Sequence, residues 1–282
     1  MPNASSTTQD CELPRHVLWE GLPHEMAFRE LPKGRFRMGA RGEYSGEEPR
    51  HWVEITRPFW MAETPVTQLQ YAYMAEQCRE RLEKIKGQRG VEPSGFKDKS
   101  DHHPVERVGW YEARLMGTWL SGQADMLPEG VEARLPTEAE WEYACRAGTE
   151  TDYYSGDGAA AVAEVGWFRD NSGSRTHLVK ERKRPNANGL HDMHGNVWEW
   201  CLDVWDETAY FESGAVAADP LTQGPLDAPR VLRGGSWNYA AGLCRSAFRI
   251  GFPPGCRYRD DGFRLCLSSG PVKNSQASVG PE

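Results

Sequence analysis

The stretch "RLPTEAEWEYACRAG", residues 134–148, contains the clearest helix signals in this chain of 282 residues. Thr137 and Glu140 form a capping box, in which each side chain satisfies a free backbone N–H at the helix start. The closing glycine favours the left-handed turn that ends a helix. Glu138, Glu140 and Glu142 stand at alternate positions, which do not share a helix face, so we expect a solvated cluster that favours the helix start.

The flanking sequence predicts short strands, turns and two further helices. Residues 34–61 alternate apolar and polar residues around Gly and Pro, a pattern typical of short strands and tight turns. Residues 64–86 and 108–122 show apolar residues at helical spacing, the former behind a capping box of Thr67 and Gln70. With 29 Gly, 19 Pro and 11 Trp, the composition favours one α+β domain with many loops held by aromatic anchors.

The chain ends, the net charge and the hydrophobic pattern limit the classes of protein that this chain can belong to. We assign residues 1–25 to a polar N-terminal segment, 26–270 to the domain and 271–282 to a disordered tail. A net charge of -8 and a single short basic loop, residues 180–185, predict no nucleic-acid partner. No segment has the roughly 18 apolar residues of a membrane span or the pattern of a signal peptide, so a cytoplasmic location is the default expectation.

Seven cysteines without a CxxC pair fit neither a disulfide framework nor a zinc site, and we expect most of them to be buried. Walker, GxGxxG, GxSxG and HExxH motifs are also missing from the sequence. Ordinary nucleotide-binding and hydrolase functions are therefore not predicted.

Seven motifs in order carry a family resemblance: "GRFRMG", "EEPRHWVEI", "TPVTQLQY", "HPVERVGW", "RLPTEAEWEYACRAG", "NANGLHDMHGNVWEWCLD" and "RVLRGGSW…GFRL". Together they resemble the formylglycine-generating enzyme family, also called the sulfatase-modifying factor family, over about residues 26–269. The resemblance implies an α+β domain of the C-type-lectin-like type, with low regular secondary structure, short strands and a few helices. Function does not follow from that fold, because the family includes oxidases, sulfur-transfer enzymes and proteins that only bind.

The resemblance implies two cysteine thiolates that hold Cu(I) in the oxidases of the family. The first of them lies two residues after the aromatic of the GGS motif, and the second follows five residues later. In this chain Tyr239 stands at the first position and Cys244 at the second. A phenol is a hard oxygen ligand that cannot replace a thiolate, so copper is not expected.

The motif "HDMHGNVWEW" is similar to a calcium site of the family, in which backbone carbonyls and a glutamate surround the ion. The matching positions are His194, Gly195, Val197 and Glu199. Oxygen ligands of this mixed kind suit calcium. The resemblance thus implies a possible structural calcium ion; the alternative is that Glu199 caps a turn beside buried tryptophans.

The sequence between residues 239 and 272 contains no Lys, Glu, Gln, Met or Trp. Residues 234–267 resemble the variable region of a protein diversified by a retroelement, in which randomised adenines of AAC or AAT codons cannot produce those five types. The residues between frame positions are the predicted ligand-binding set: Tyr239, Ala240, Ala241, Leu243, Phe248, Ile250, Gly251, Phe252, Cys256, Tyr258, Arg259, Asp260 and Asp261. A chance absence of the five types is the alternative.

Three functions remain open from the sequence. The first is a non-catalytic binding protein whose diversified surface takes a protein ligand, with Tyr239, Phe248, Phe252 and Tyr258 as anchors and the charged residues at 259–261 as polar selectors. The second is an oxygen-dependent oxidase acting on a peptide cysteine, with Cys244 and an unexpected partner as copper ligands. The third is a regulatory or structural paralogue.

Overall fold

The computed structural model describes residues 16–19, 26–41, 44–86, 94–96, 102–123, 126–181, 183–210 and 216–270. In chain order the strands are β1 (His16–Trp19), β2 (Met26–Leu31), β3 (Gly34–Met38), β4 (His51–Ile55), β5 (Phe59–Ala62), β6 (Val131–Arg134), β7 (Trp198–Val204), β8 (Ala217–Ala218), β9 (Arg230–Arg233), β10 (Arg249–Phe252), β11 (Asp261–Gly262) and β12 (Cys266–Ser269). The α-helices are α1 (Gln68–Gln77), α2 (Arg79–Lys86), α3 (Trp110–Ser121), α4 (Glu138–Arg146) and α5 (Gly158–Val165). Short strands with a few helices confirm the predicted α+β class.

The strands form three sheets, with the orders β1-β2-β5-β12-β6, β10-β9-β7-β11 and β3-β4-β8. Strand β12 pairs antiparallel with both β5 and β6, so the end of the domain closes a sheet begun by its first half. Among the described strands, β10 pairs with β9 alone and therefore lies at a sheet edge. The edge position of β10 matters below, because this strand belongs to the stretch predicted to bind a ligand.

The ends of the chain are only partly described. Strand β1 precedes the predicted domain start at residue 26 and pairs antiparallel with β2, with His16 opposite Arg29. The rest of the predicted polar segment and the predicted tail at 271–282 lie outside the described residues. In the described part of the chain, none of the helices is both long and apolar enough to cross a membrane.

The predicted helix starts are confirmed. At α1, the Thr67 hydroxyl accepts the Gln70 N–H at 3.3 Å, and the Gln70 side chain accepts the Thr67 N–H at 3.0 Å. The same reciprocal pair joins Thr137 and Glu140 at the start of α4, with distances of 3.1 and 2.8 Å. The single helix expected over 64–86 is two helices, because Cys78 leaves helical geometry.

Tryptophans anchor the core, as the composition predicts. The Trp110 indole on α3 donates to the Cys201 carbonyl on β7 at 2.8 Å, and the Trp200 indole on β7 donates to the Val108 carbonyl before α3 at 2.8 Å. Both rings are buried, so each contributes apolar area without leaving its N–H unsatisfied. These two crossed hydrogen bonds fix β7 against α3.

Buried ion pairs join α4 to the C-terminal strands. Glu142 accepts from Arg146 at 2.8 Å and also pairs with Arg233 of β9. Glu138 accepts both Nε and Nη2 of Arg249 of β10, at 2.6 and 2.8 Å. The expectation of a solvated glutamate cluster is therefore wrong for Glu138 and Glu142, which are 3% and 0% exposed. Sequence spacing within α4 cannot reveal arginines about a hundred residues away.

Two more glutamates pair with arginines of the C-terminal stretch. Glu199 of β7 accepts Nε and Nη2 of Arg264, both at 2.6 Å. Glu47 of the first 3-10 turn accepts Nη1 and Nη2 of Arg245 at 2.9 and 2.8 Å. All four side chains are at most 3% exposed. These bidentate pairs fix residues 233–264 to the rest of the domain.

We predict that Glu142→Gln lowers the free energy of unfolding by about 3 to 5 kcal/mol, because it removes the carboxylate that the buried Arg146 and Arg233 share. The matched control is Glu54→Gln, whose partner Arg35 is 59% exposed, and its loss should stay below about 1 kcal/mol. Urea unfolding at neutral pH measures both losses. Equal losses in the two variants would contradict the role given to the buried pair.

Candidate functional site

A glycine turn and a buried histidine position the start of the candidate site. Gly235, at φ +74°, lies so close to Cys244 that an added Cβ would come within 2.4 Å of its Sγ. Burial lowers the pKa of His194 to about 3, so its ring is neutral. Its Nδ1 donates to the Cys244 carbonyl at 2.8 Å, and its Nε2 accepts the Tyr154 N–H at 3.2 Å. Together they hold the 3-10 turn Ala241–Cys244.

An open, mostly apolar groove follows this turn, and we call it the C-terminal groove. Its lining residues are Trp198, Trp205, Tyr239, Leu243, Phe248, Arg249, Ile250, Gly251 and Phe252. Six of these nine belong to the predicted ligand-binding set. The fold therefore brings together residues that share no core periodicity in the sequence.

Aromatic rings form the floor and one wall of the C-terminal groove. The Trp198 ring meets the Tyr239 ring edge-on with centroids 5.3 Å apart, and lies 6.0 Å from the Phe248 ring. The backbone at Gly251 packs against Trp205 so closely that an added Cβ would stand 2.1 Å from the ring. The Arg249 guanidinium lies over the same Trp205 ring at 4.4 Å, while it is paired with Glu138 behind the groove.

The rim carries exposed aromatic and basic side chains. Tyr258, 52% exposed, contacts the Phe252 ring with a centroid distance of 5.6 Å. Tyr44, 46% exposed, contacts Phe248 edge-on at 5.1 Å. Exposed Arg259 lies over the Trp237 ring, and exposed Arg169 donates to the Asn238 carbonyl beside the groove.

The remaining predicted positions differ in exposure. Ala240, Ala241 and Cys256 are half-buried outside the groove lining. Asp260 and Asp261 are only 6% and 1% exposed, so neither can select a ligand at the surface. Asp260 accepts from the Ser236 hydroxyl at 2.6 Å, and Asp261 accepts the Tyr258 N–H at 2.9 Å. Both carboxyls stabilise turns of the scaffold.

Three aromatic residues of the site are absent from the predicted set. Trp198 is predicted only as core, and Trp205 and Tyr44 carry no signal in the sequence because they lie outside residues 234–267. Their contacts with Phe248 and Gly251 bring them to the groove. The composition predicts that aromatic residues anchor the fold, but it cannot show which of them lie beside the groove.

The residues at the copper positions do not fit a two-thiolate site. Tyr239 contributes a phenol whose pKa burial raises above its ordinary value. Cys244 is fully buried, and burial raises the pKa of its thiol to about 12, so the thiolate that binds metal is disfavoured. Among the described residues, no group of three or more His, Cys, Asp or Glu side chains could hold a metal ion.

The glutamate at the calcium positions does not fit a calcium ligand either. Both carboxylate oxygens of Glu199 accept from Arg264, and one also accepts the Trp141 indole N–H at 2.6 Å. The guanidinium thus supplies the positive charge that a cation would bring. His194, Gly195 and Val197 could still offer backbone carbonyls, but without the carboxylate that the family resemblance implies, and a calcium ion at these positions stays a prediction.

The sheet order, the helix caps and the groove define an α+β protein of the C-type-lectin-like type. Residues 24–269 match the family model of the sulfatase-modifying factor enzyme 1-like domain, and the chain belongs to this family. It is 30% identical to the formylglycine-generating enzyme of Streptomyces coelicolor, over 88% of this chain and 91% of that enzyme. It is 32% identical to the serine/threonine-protein kinase pkn1 of Chlamydia pneumoniae, but spans only 36% of the kinase.

Solved structures confirm the fold. Treponema denticola variable protein 1 superposes with a TM-score of 0.70 at 29% identity, covering 90% of this chain and 99% of that chain. PvdO from Pseudomonas aeruginosa superposes with a TM-score of 0.73 at 22% identity, covering 91% and 100%, which shows the shared fold alone. The similarity to a variable protein confirms the resemblance read from the C-terminal sequence.

We predict that Asp261 makes stability pH-dependent. Burial, with a smaller effect of Asp260, raises its pKa to about 7, against about 3.9 in an unfolded chain. The contribution of the neutral carboxyl is therefore complete below about pH 4 and is lost as the pH rises through about 7. Asp261→Asn cannot ionise and keeps an acceptor for Tyr258, so its unfolding free energy should exceed that of the wild type by up to about 4 kcal/mol at pH 8.

Urea unfolding across pH 4 to 8 measures this difference. Asp170→Asn is the matched control, because Asp170 is exposed and its substitution should change the free energy of unfolding by less than about 0.5 kcal/mol. A flat difference for Asp261→Asn would show that this carboxyl is not held protonated by the fold.

Proposed function

We propose that the chain is a non-catalytic binding protein that presents the C-terminal groove to a protein ligand. The observation that carries the proposal is that residues 233–264 contain two kinds of side chain, one that holds the stretch to the domain and one that faces the groove. The frame arginines are buried in ion pairs with glutamates from elsewhere in the chain. Eight of the thirteen predicted ligand-binding residues line one open groove or its rim. A surface of this kind can change its side chains while the scaffold keeps its own contacts.

The chemistry of the groove suits protein recognition. Tyr, Trp and Phe supply large contact areas and lose little side-chain entropy when they are fixed, and they are enriched at the centres of protein interfaces. Tyr239 and Phe252 are half-buried beside the groove, Phe248 is only 7% exposed in its floor, and Tyr258 extends the groove at the rim. Tyr239, Phe252 and Tyr258 are therefore the anchors of the proposed interface, and Phe248 belongs to its scaffold.

Retroelement diversification of residues 234–267 is part of the proposal. It is supported by the five residue types missing from 239–272 and by the similarity to Treponema denticola variable protein 1. Because Asp260 and Asp261 are buried, the proposed ligand-contacting set excludes them. It also excludes Cys256, Ala240 and Ala241 as direct lining residues.

The second candidate function is an oxidase acting on a peptide cysteine. It is favoured by the 30% identity to the formylglycine-generating enzyme of Streptomyces coelicolor. It is disfavoured by the phenol at position 239 and by the buried, protonated thiol of Cys244. We therefore rank it below the binding function.

We predict that randomising the groove yields binders. A displayed library varied at Tyr239, Leu243, Ile250 and Phe252 should give variants that bind an immobilised small protein and remain folded. The matched library varies Arg35, Arg37, Trp52 and Glu54, which share one face of the β3–β4 pair. The pocket at that face is lined by more charged side chains than the C-terminal groove, so this library should give few binders.

Enrichment, affinity and melting temperature measure the outcome for each library. Equal enrichment from the two libraries, or unfolding of most groove variants, would contradict the proposed binding function. Finding a near-copy of the gene segment for 234–267 beside a reverse transcriptase would support the diversification independently.

We predict that the reduced protein binds no Cu(I) through Cys244. In a competition titration against a chromophoric chelator, the wild type and Cys244→Ala should behave alike. Tyr239→Cys places a thiol at the first copper position and should gain Cu(I) binding, whereas Tyr44→Cys, an exposed control, should not. Stoichiometric Cu(I) in the wild type that disappears in Cys244→Ala would favour the oxidase.

A further inference from the structure

The C-terminal groove runs along a strand edge. Five consecutive residues, 248–252, line it, and four of them form strand β10. Successive side chains of a strand point to opposite faces, so a groove on one face would be lined by alternate residues only. Lining by every residue in turn, together with Trp198 of β7, means that the groove extends from a face of this sheet to the free edge of β10.

The backbone of this edge is unpaired in the described part of the chain. Strand β10 pairs with β9 from Arg249 opposite Arg233 to Phe252 opposite Arg230. In an antiparallel pair, alternate residues direct their N–H and C=O groups away from the partner strand. Beyond the β9 ladder, residues 249–252 form no further backbone hydrogen bond with any described residue. An unpaired edge of this kind is a template for another strand.

The charges at the rim favour one kind of occupant. Arg169 and Arg259 are both exposed, and neither forms an ion pair with any described residue. Arg169 also donates its backbone N–H to the Tyr239 carbonyl, which places it at the Tyr239 end of the groove. A ligand with a carboxylate at that end would complement these guanidinium groups.

We propose that the C-terminal groove takes an extended segment of the protein ligand, which adds as a strand to the edge of β10. Alternate apolar side chains of the segment pack on the half-buried Tyr239, Phe252 and Trp205, and an acidic residue at one end meets Arg169 and Arg259. Main-chain hydrogen bonds to β10 supply affinity that does not depend on the diversified side chains. This inference rests on the proposed binding function and specifies its ligand.

Random linear peptides displayed on phage and selected on the full chain test the proposal. The expected peptides alternate apolar residues and carry Asp or Glu near one end. N-methylation removes one backbone donor at a time, and on a synthetic copy it should weaken binding by about tenfold or more at alternate positions only. N-methylation that weakens binding equally at all positions, or at none, would overturn strand addition.

A charge reversal tests the rim. Arg259→Glu should weaken the selected peptide several-fold, while Lys33→Glu, an exposed site with the same change in charge, should leave its affinity unchanged. Equal effects of the two variants would refute the acidic end of the ligand. If the randomised groove library binds folded proteins but no linear peptide is enriched, strand addition fails and the binding function stands. If neither binds, both fail.

Discussion

The structure depends on arginines of the C-terminal stretch that are buried against glutamates from other parts of the chain. Arg233, Arg245, Arg249 and Arg264 each meet a carboxylate with almost no access to water. A buried charge without its partner is costly, so each pair permits one arrangement of the two segments it joins. Contacts of the buried side chains thus hold residues 233–264 in place, and the side chains that face outward are not needed to hold them.

This arrangement explains how one scaffold can support either chemistry or recognition. The 3-10 turn at Ala241–Cys244 is fixed by His194 and by close packing of Gly235 on the Cys244 sulfur, whatever residue stands at 239. A thiol at 239 and a phenol at 239 meet the same frame. In this chain the phenol joins Trp198 and becomes part of an aromatic surface.

Features set by neighbouring residues could be predicted from the sequence, and features set by distant ones could not. The capping boxes at Thr67 and Thr137 depend on contacts three residues apart, and both are present. The partners of Glu138 and Glu142 come from strands far along the chain, so a solvated helix start was the wrong expectation. Six of the nine positions lining the groove follow from the resemblance to a variable region, but burial separates Phe252 from Asp261, and only the fold shows burial.

The contact between Gly251 and Trp205 limits how freely the groove can evolve. Any side chain at 251 meets the indole ring, and the ring also carries the guanidinium of Arg249. Trp205 lies outside residues 234–267, so a mechanism that rewrites only that stretch cannot supply a compensating change. Mutations at 251 and 205 should therefore show strong epistasis, and the inherited part of the gene would set which members of a diversified repertoire fold.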